Sequence, residues 1–100
     1  MEELNRNESI TVGTSSIIAS KDKSNSQTKR VNINIINTSA AAILTIAIDQ
    51  EAKDNEGIPI SPGGSWSDNA ETGYKPTQKA VNIISSIIGG TFSLQERSAQ

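Results

Sequence analysis

The chain has 100 residues, a formal net charge of −2 and 34% hydrophobic residues, which suits one domain with a modest core. The charge balance argues against a dedicated nucleic-acid binder, and no apolar run approaches the ~20 residues that cross a membrane as a helix. Isoleucine is the commonest hydrophobic residue. Because β-branched side chains suit strands better than helices, the composition favours an all-β fold.

The N-terminal segment, residues 1–7, is polar and charged and predicts a flexible N-terminal arm. The folded domain is then expected over residues 8–100. Residues 8–20 contain two short apolar stretches separated by the small residues 13–16, which predicts two short strands with a bend between them. Residues 21–28 lack periodicity and predict a polar, solvated loop, despite the lysines in it.

The clearest strand pattern lies at residues 29–37, where apolar residues alternate with asparagines. Such alternation is typical of an antiparallel strand with one face in the core. The residues predicted to face the core are Val31, Ile33 and Ile35. Residues 41–49 have apolar side chains on both faces and predict a strand that is covered on both sides. A helix is the alternative there, but the run lacks a helical period.

Short turn-bounded segments follow. Residues 57–60 predict a short edge strand, because Pro59 cannot donate a hydrogen bond to a neighbouring strand. The Pro-Gly-Gly sequence at 62–64 predicts a tight turn, and residues 65–67 predict another short strand. Trp66 in this strand and Tyr74 beyond it are expected to be packing anchors. The alternative is that their rings stack on a sugar.

The C-terminal region predicts a β-hairpin. Residues 79–88 and 91–96 flank Gly89-Gly90, a typical two-residue hairpin turn. In this pairing Ile84 and Ile88 lie among small polar residues on the face opposite the core, which suits contact with another subunit. The predicted core face comprises Val81, Ile83, Ile87, Phe92 and Leu94. Seven or eight short strands with turn-rich connections together indicate an antiparallel β-sandwich.

The residues that usually carry catalysis are missing. Histidine and cysteine are both absent, which excludes Ser-His-Asp and Cys-His arrangements and the common zinc sites. The acidic stretch 49–56 does not have the spacing of a calcium-binding loop, and no phosphate-binding motif follows the glycine pairs. We therefore expect no enzyme activity, and predict no catalytic, cofactor-binding or metal-binding residues.

The order of these segments resembles a family of small β-sandwich virion proteins from phages and other prokaryotic viruses. The resemblance covers most of the chain, with a longer connection at 68–78 and VNII in place of a commoner A-I-S type of ending as departures. The matching segments are residues 10–16 (ITVGTSS), 29–30, 36–39, 57–65 (GIPISPGGS), 80–84 and 91–96.

The resemblance implies a jelly-roll-like sandwich and a structural role in the virion of an archaeal or bacterial virus. The subunit would be a capsid vertex (penton) protein, a decoration protein, or part of a fibre or tail. Its expected partners are copies of itself, as a pentamer or trimer, and the major capsid protein, with no nucleic acid and no membrane span. It would be made in the host cytoplasm and end in the virion.

Two other functions stay open from the sequence. One is a carbohydrate-binding or receptor-binding module of a viral fibre or spike, which would use Trp66 and Tyr74. The other is a small-ligand or metal-binding β-barrel of the cupin type. The absence of histidine counts against the metal-binding form.

Overall fold

The computed structural model describes residues 3–70 and 76–99, and within these ranges the regular structure consists of eight β-strands and no helix. The strand bounds are β1 (Glu3–Val12), β2 (Ile17–Ser20), β3 (Lys29–Asn37), β4 (Leu44–Ile48), β5 (Ile58–Ile60), β6 (Ser65–Asn69), β7 (Val81–Ser85) and β8 (Gly90–Ala99). The helix considered for residues 41–49 is absent, because that stretch contains β4.

The strands form two four-stranded antiparallel sheets. The first sheet has the order β1-β8-β3-β6 and the second has the order β2-β7-β4-β5. Strands pair from the two ends of the chain inwards: β1 with β8, β2 with β7, β3 with β6, and β4 with β5. The predicted all-β fold with two antiparallel sheets is confirmed.

The core lies between the sheets and is almost entirely aliphatic. The apolar side chains of β3, β4, β7 and β8 that face inwards are excluded from solvent, and each buried side chain of this size contributes ~1.5–3 kcal/mol of hydrophobic stabilisation. The most deeply buried are Ile33, Ile35, Leu44, Ile46, Val81, Ile83 and Phe92. The β-branched composition thus fills the space between two pleated surfaces.

The structure corrects the predicted N-terminal arm for residues 3–7, and residues 1–2 lie outside the described residues. Residues 3–7 are the first half of β1, and β1 pairs with β8 without interruption from Glu3↔Ala99 to Val12↔Gly90. The sequence pattern missed this because backbone pairing needs no apolar side chains. The partner strand also runs to Ala99, beyond the predicted end at residue 96.

The predicted C-terminal hairpin is wrong. β7 lies in the second sheet between β2 and β4, whereas β8 lies in the first sheet between β1 and β3. Gly89, with a φ of 91°, and Gly90 form a corner between the sheets instead of a hairpin turn. Glycine suits both geometries, so the dipeptide alone does not distinguish them. The ten-residue pairing with β1 gives β8 a longer ladder than β7 offers.

Residues 49–56 cover the outer face of the second sheet. Ala52 packs against Ala47 and Ile84, and the amide of Asn82 donates to the Gln50 carbonyl oxygen at 2.6 Å. Asp49 has a φ of 62°, a left-handed conformation that Asp tolerates better than most residues. As a result all of β7 is buried, including the face predicted to be a contact surface.

Candidate assembly surface

The structure separates the two isoleucines predicted to form a subunit contact. Ile88 is 87% exposed, whereas Ile84 is only 9% exposed and packs against Ala47 and Ala52. The reason is that residues 49–56 lie across the outer face of β7, while Ile88 lies beyond the end of that strand. Ile84 therefore belongs to the core of the monomer, and Ile88 is available to a partner.

Of the two aromatic residues predicted as packing anchors, only Trp66 lies within the described residues; Tyr74 lies outside them. Trp66 is partly buried and packs against the main core cluster, opposite Ile35 in the register of β6 with β3. This position fits a packing anchor.

An exposed apolar group lies where the chain turns from β7 towards β8. We call it the isoleucine tip and define it as Ile43, Ile87 and Ile88, which are 39%, 49% and 87% exposed. The two segments are joined by hydrogen bonds: the Ser86 backbone N–H donates to the Ile43 carbonyl oxygen at 2.9 Å, and the Ile43 N–H donates to the Ser86 hydroxyl at 3.0 Å. Ile87 was predicted to face the core, and its exposure corrects that prediction.

The loop that carries the tip is held firmly to the body of the domain. The buried Ser85 donates its hydroxyl to the Ile87 carbonyl oxygen at 2.6 Å, and its backbone N–H donates to the Gly13 carbonyl oxygen at 2.9 Å. A Cβ atom at Gly90 would lie 2.6 Å from the Ser85 hydroxyl oxygen and 2.8 Å from the Val12 carbonyl oxygen. Only glycine permits this close packing, so the isoleucines are presented on an ordered loop.

The opposite end of the sandwich holds a buried charged group, which we call the Arg30 network (Arg30, Glu96 and Ser20). The Arg30 Nε atom donates to Glu96 Oε2 at 2.9 Å, and the pair is 2% exposed at each residue. Ser20 donates its hydroxyl to the same carboxylate oxygen. This end therefore joins β3 and β8 of the first sheet to β2 of the second.

Every N–H of the Arg30 guanidinium is used. Besides Glu96, it donates to the Ser20 hydroxyl at 2.6 Å and to three backbone carbonyl oxygens. These belong to Thr77, Lys79 and Lys21, at 2.5, 3.1 and 3.0 Å. A guanidinium has five such donors, and a buried ion pair is stable only when its remaining donors are bonded. The network therefore meets this condition within the chain and ties together the segments that it bonds.

Sequence reasoning missed the Arg30 network because of a β-bulge. Arg30 pairs with Ser98 and Asn32 pairs with Arg97, so Val31 is an extra residue in β3. The bulge places Arg30 on the same face as Ile33, although simple alternation assigns it to the opposite face. One signal was present: Glu96 is in phase with Phe92 and Leu94, and a charge at a core position requires a buried partner.

Reactive groups do not cluster elsewhere among the described residues. No group of three or more acidic residues is placed to hold a metal ion in the described part of the chain. The pKa of Asp22 is lowered from 3.8, chiefly because the Ser24 backbone N–H donates to its carboxylate at 2.7 Å. No helix in residues 3–70 and 76–99 is long and apolar enough to cross a membrane.

Comparisons with known proteins bear on the fold. No protein-family model matches the chain, and no curated protein matches it. Among solved structures, it is similar to a chain in the acidic stable capsid structure of Helicobacter pylori bacteriophage KHP30, with a TM-score of 0.52 and 8% sequence identity. The alignment covers 98% of this chain and 87% of that chain. The likeness shows a shared fold.

Proposed function

We propose that the chain is a non-enzymatic virion structural protein, a capsid vertex (penton) or decoration subunit that assembles with itself and with a major capsid protein. The observation that carries the proposal is the isoleucine tip. Large apolar side chains displayed together on an ordered loop are typical of a protein contact. The fold likeness to a phage capsid chain supports the same assignment. In this proposal the protein is made in the host cytoplasm and works in the virion.

The strand order supports a jelly roll as the finer description of the fold. In a jelly roll, eight strands form two sheets through two Greek keys. The pairing of β1 with β8, β2 with β7, β3 with β6 and β4 with β5 is the arrangement obtained when a long antiparallel ribbon is rolled into two sheets. Such a domain presents loops at both ends, and the isoleucine tip occupies one of them.

The tip has properties of an energetically important contact. Burying an exposed isoleucine contributes ~1.5–3 kcal/mol, and Ile88 is almost fully exposed in the monomer. Ordering a mobile loop on binding would oppose this gain. Here the hydrogen bonds of Ser85 and Ser86 already order the loop, so little of the gain is lost.

The symmetry that we propose is a closed ring. If the tip contacts a different surface of a neighbouring copy, the contact is heterologous and repeats around a rotation axis until the ring closes. A pentamer suits an icosahedral vertex and a trimer suits a decoration protein or fibre. The virus would infect a bacterium or an archaeon, as the sequence resemblance implies.

The proposal is tested by comparing two exposed isoleucines. Light scattering gives the mass of the wild type, Ile88→Asp and Ile18→Asp across a concentration series. Ile18 is 61% exposed on β2, away from the tip, and is the matched control. We expect Ile88→Asp to weaken the apparent affinity of assembly at least tenfold, because a charge enters an apolar contact, so that its mass falls at concentrations where the wild type is assembled. Ile18→Asp should keep the wild-type mass. Equal masses for all three proteins would contradict an assembly role of the tip.

A further inference from the structure

The edge of the first sheet at β1 differs from the other sheet edges. β1 has ten residues without proline or glycine, and its pairing with β8 has no register shift. The other edge strands are short or interrupted: β2 has four residues and a register shift, β5 has three residues including Pro59, and β6 has five residues. Long regular edges are usually protected, because they pair readily with another strand.

The free side of β1 is a row of backbone donors and acceptors. Within residues 3–70 and 76–99, β1 pairs with β8 alone and is the terminal strand of its sheet. A strand added there would extend the sheet through backbone hydrogen bonds, with side-chain pairs setting the register. The side chains of β1 therefore determine which strand can pair with this edge and in which register.

The middle of β1, Asn5-Arg6-Asn7-Glu8-Ser9, is complementary to itself in antiparallel pairing. With a two-fold axis at Asn7, Arg6 of one copy lies opposite Glu8 of the other, twice. Moving the axis to Arg6 or to Glu8 places like charges directly opposite each other, which is unfavourable. If the two-fold axis instead lies between two residues, side chains that face the core in one strand lie opposite side chains that face solvent in the other. Of the two-fold axes at residues 6, 7 and 8, the one at Asn7 alone brings opposite charges together.

We propose that β1 pairs with β1 of a second copy of this chain, in antiparallel register about a two-fold axis at Asn7. The pairing joins the two first sheets into one continuous sheet. This goes beyond the proposed function, because the edge is separate from the isoleucine tip and the pairing requires no viral partner. A two-fold contact joins two copies whether or not each also belongs to a ring.

The charged residues of β1 are placed to serve this contact. Arg6 Nε lies 2.7 Å from Glu8 Oε2 within the chain, and the two side chains are 38% and 48% exposed. Arg6 also donates from Nη1 to the Ala19 carbonyl oxygen at 3.1 Å. The same nitrogen lies 3.8 Å from Glu96 Oε1. The guanidinium is therefore already held on the inner face of β1, the face that Glu8 shares, and a second Glu8 carboxylate would join it there.

Single cysteine variants test the register, since the natural chain contains no cysteine. Opposite Cα atoms in antiparallel strands are ~4.5–5.5 Å apart, within the range that a disulfide bridges. Asn7→Cys should therefore form a disulfide-linked dimer under mild oxidation. Asn5→Cys and Ser9→Cys should not do so alone, because the two copies of residue 5, or of residue 9, lie about 14 Å apart. Mixing Asn5→Cys with Ser9→Cys should give a mixed dimer.

The control is Asn69→Cys, an exposed position on β6 at the other edge of the same sheet. We expect Asn7→Cys to cross-link at least tenfold faster than Asn69→Cys, and adding Ile88→Asp to Asn7→Cys to leave that rate unchanged. Adding Glu8→Arg should slow it, because two arginines then face two arginines. Equal cross-linking at Asn5, Asn7 and Asn69, or a strand-paired dimer linked at residue 5 alone, would overturn the proposal.

Discussion

The two ends of the sandwich differ in which kind of side chain is buried and which is exposed. Near the start of β3, Arg30 pairs with Ser98, and at its end Asn37 pairs with Phe92. The Arg30 network and the loop after β7 therefore lie at opposite ends of the sandwich. At one end a charged pair is buried; at the other, isoleucines are exposed. Both arrangements are costly for an isolated domain unless the charges are bonded or the apolar surface is covered.

The difference assigns the two ends to different tasks. At the Arg30 end every donor of the guanidinium has a partner inside the chain, so this end is complete in the monomer. At the isoleucine tip the backbone is bonded but the side chains are not covered. The first end is satisfied within the chain, and the second leaves apolar surface that we propose is covered on assembly.

The largest expected effect comes from breaking the Arg30 network. Replacing Arg30 by methionine leaves the buried Glu96 carboxylate with only the more distant Arg6 guanidinium, whose Nη1 lies 3.8 Å from Glu96 Oε1. Removing one partner of a buried ion pair typically costs ~3–5 kcal/mol. Urea unfolding of Arg30→Met should show a loss of this size in the free energy of unfolding. The control, Lys29→Met at the exposed neighbouring position, should change it by less than about 1 kcal/mol. Equal losses in the free energy of unfolding for the two variants would contradict a special role of the buried Arg30.

The next largest effect distinguishes Ile84 from Ile88, the two residues that the sequence predicted to share one contact surface. Ile84→Asp places a charge beneath residues 49–56 and should lower the free energy of unfolding by about 2–3 kcal/mol, because a buried charge without a partner is unfavourable. Ile88→Asp should change it by less than about 0.5 kcal/mol, since the side chain is exposed. Chemical unfolding of both variants and the wild type, at a protein concentration where all three are monomeric, checks this, because assembly would add to the apparent stability. A stable Ile84→Asp monomer would contradict the burial of that residue.

The smallest effect concerns how the tip loop is held. Gly90→Ala introduces a Cβ atom 2.8 Å from the Val12 carbonyl oxygen, and overpacking of this kind costs ~1–3 kcal/mol. Gly13→Ala is the matched control, because nothing lies within 4 Å of its Cβ position. Thermal unfolding should show a lower midpoint for Gly90→Ala alone. Equal midpoints would mean that the loop adjusts and is not firmly held.

Much of the fold was predictable from local sequence patterns. The alternation in residues 29–37 predicted β3 with its observed bounds, and Pro59 marked β5 as an edge strand. These succeed because side-chain alternation and the missing proline N–H act within a single strand. The presence of apolar residues on both faces of β4 likewise predicted its burial on both sides.

The candidate site was less predictable, because it depends on contacts between distant segments. Ile84 is buried only because Ala52 packs on it, and no pattern within β7 reveals that covering. Arg30 reaches the core through a bulge, which shifts the phase of β3. Gly89 and Gly90 satisfy a hairpin and a corner equally well, so the choice between them rests on the pairing of β8 with β1.

Assembly of this chain is measured most directly by the mass of the purified wild-type protein in solution, followed by light scattering across a concentration series. We expect a discrete closed oligomer, a ring of three or five copies or two such rings joined at β1. A strict monomer at every concentration would contradict assembly through either the isoleucine tip or the β1 edge.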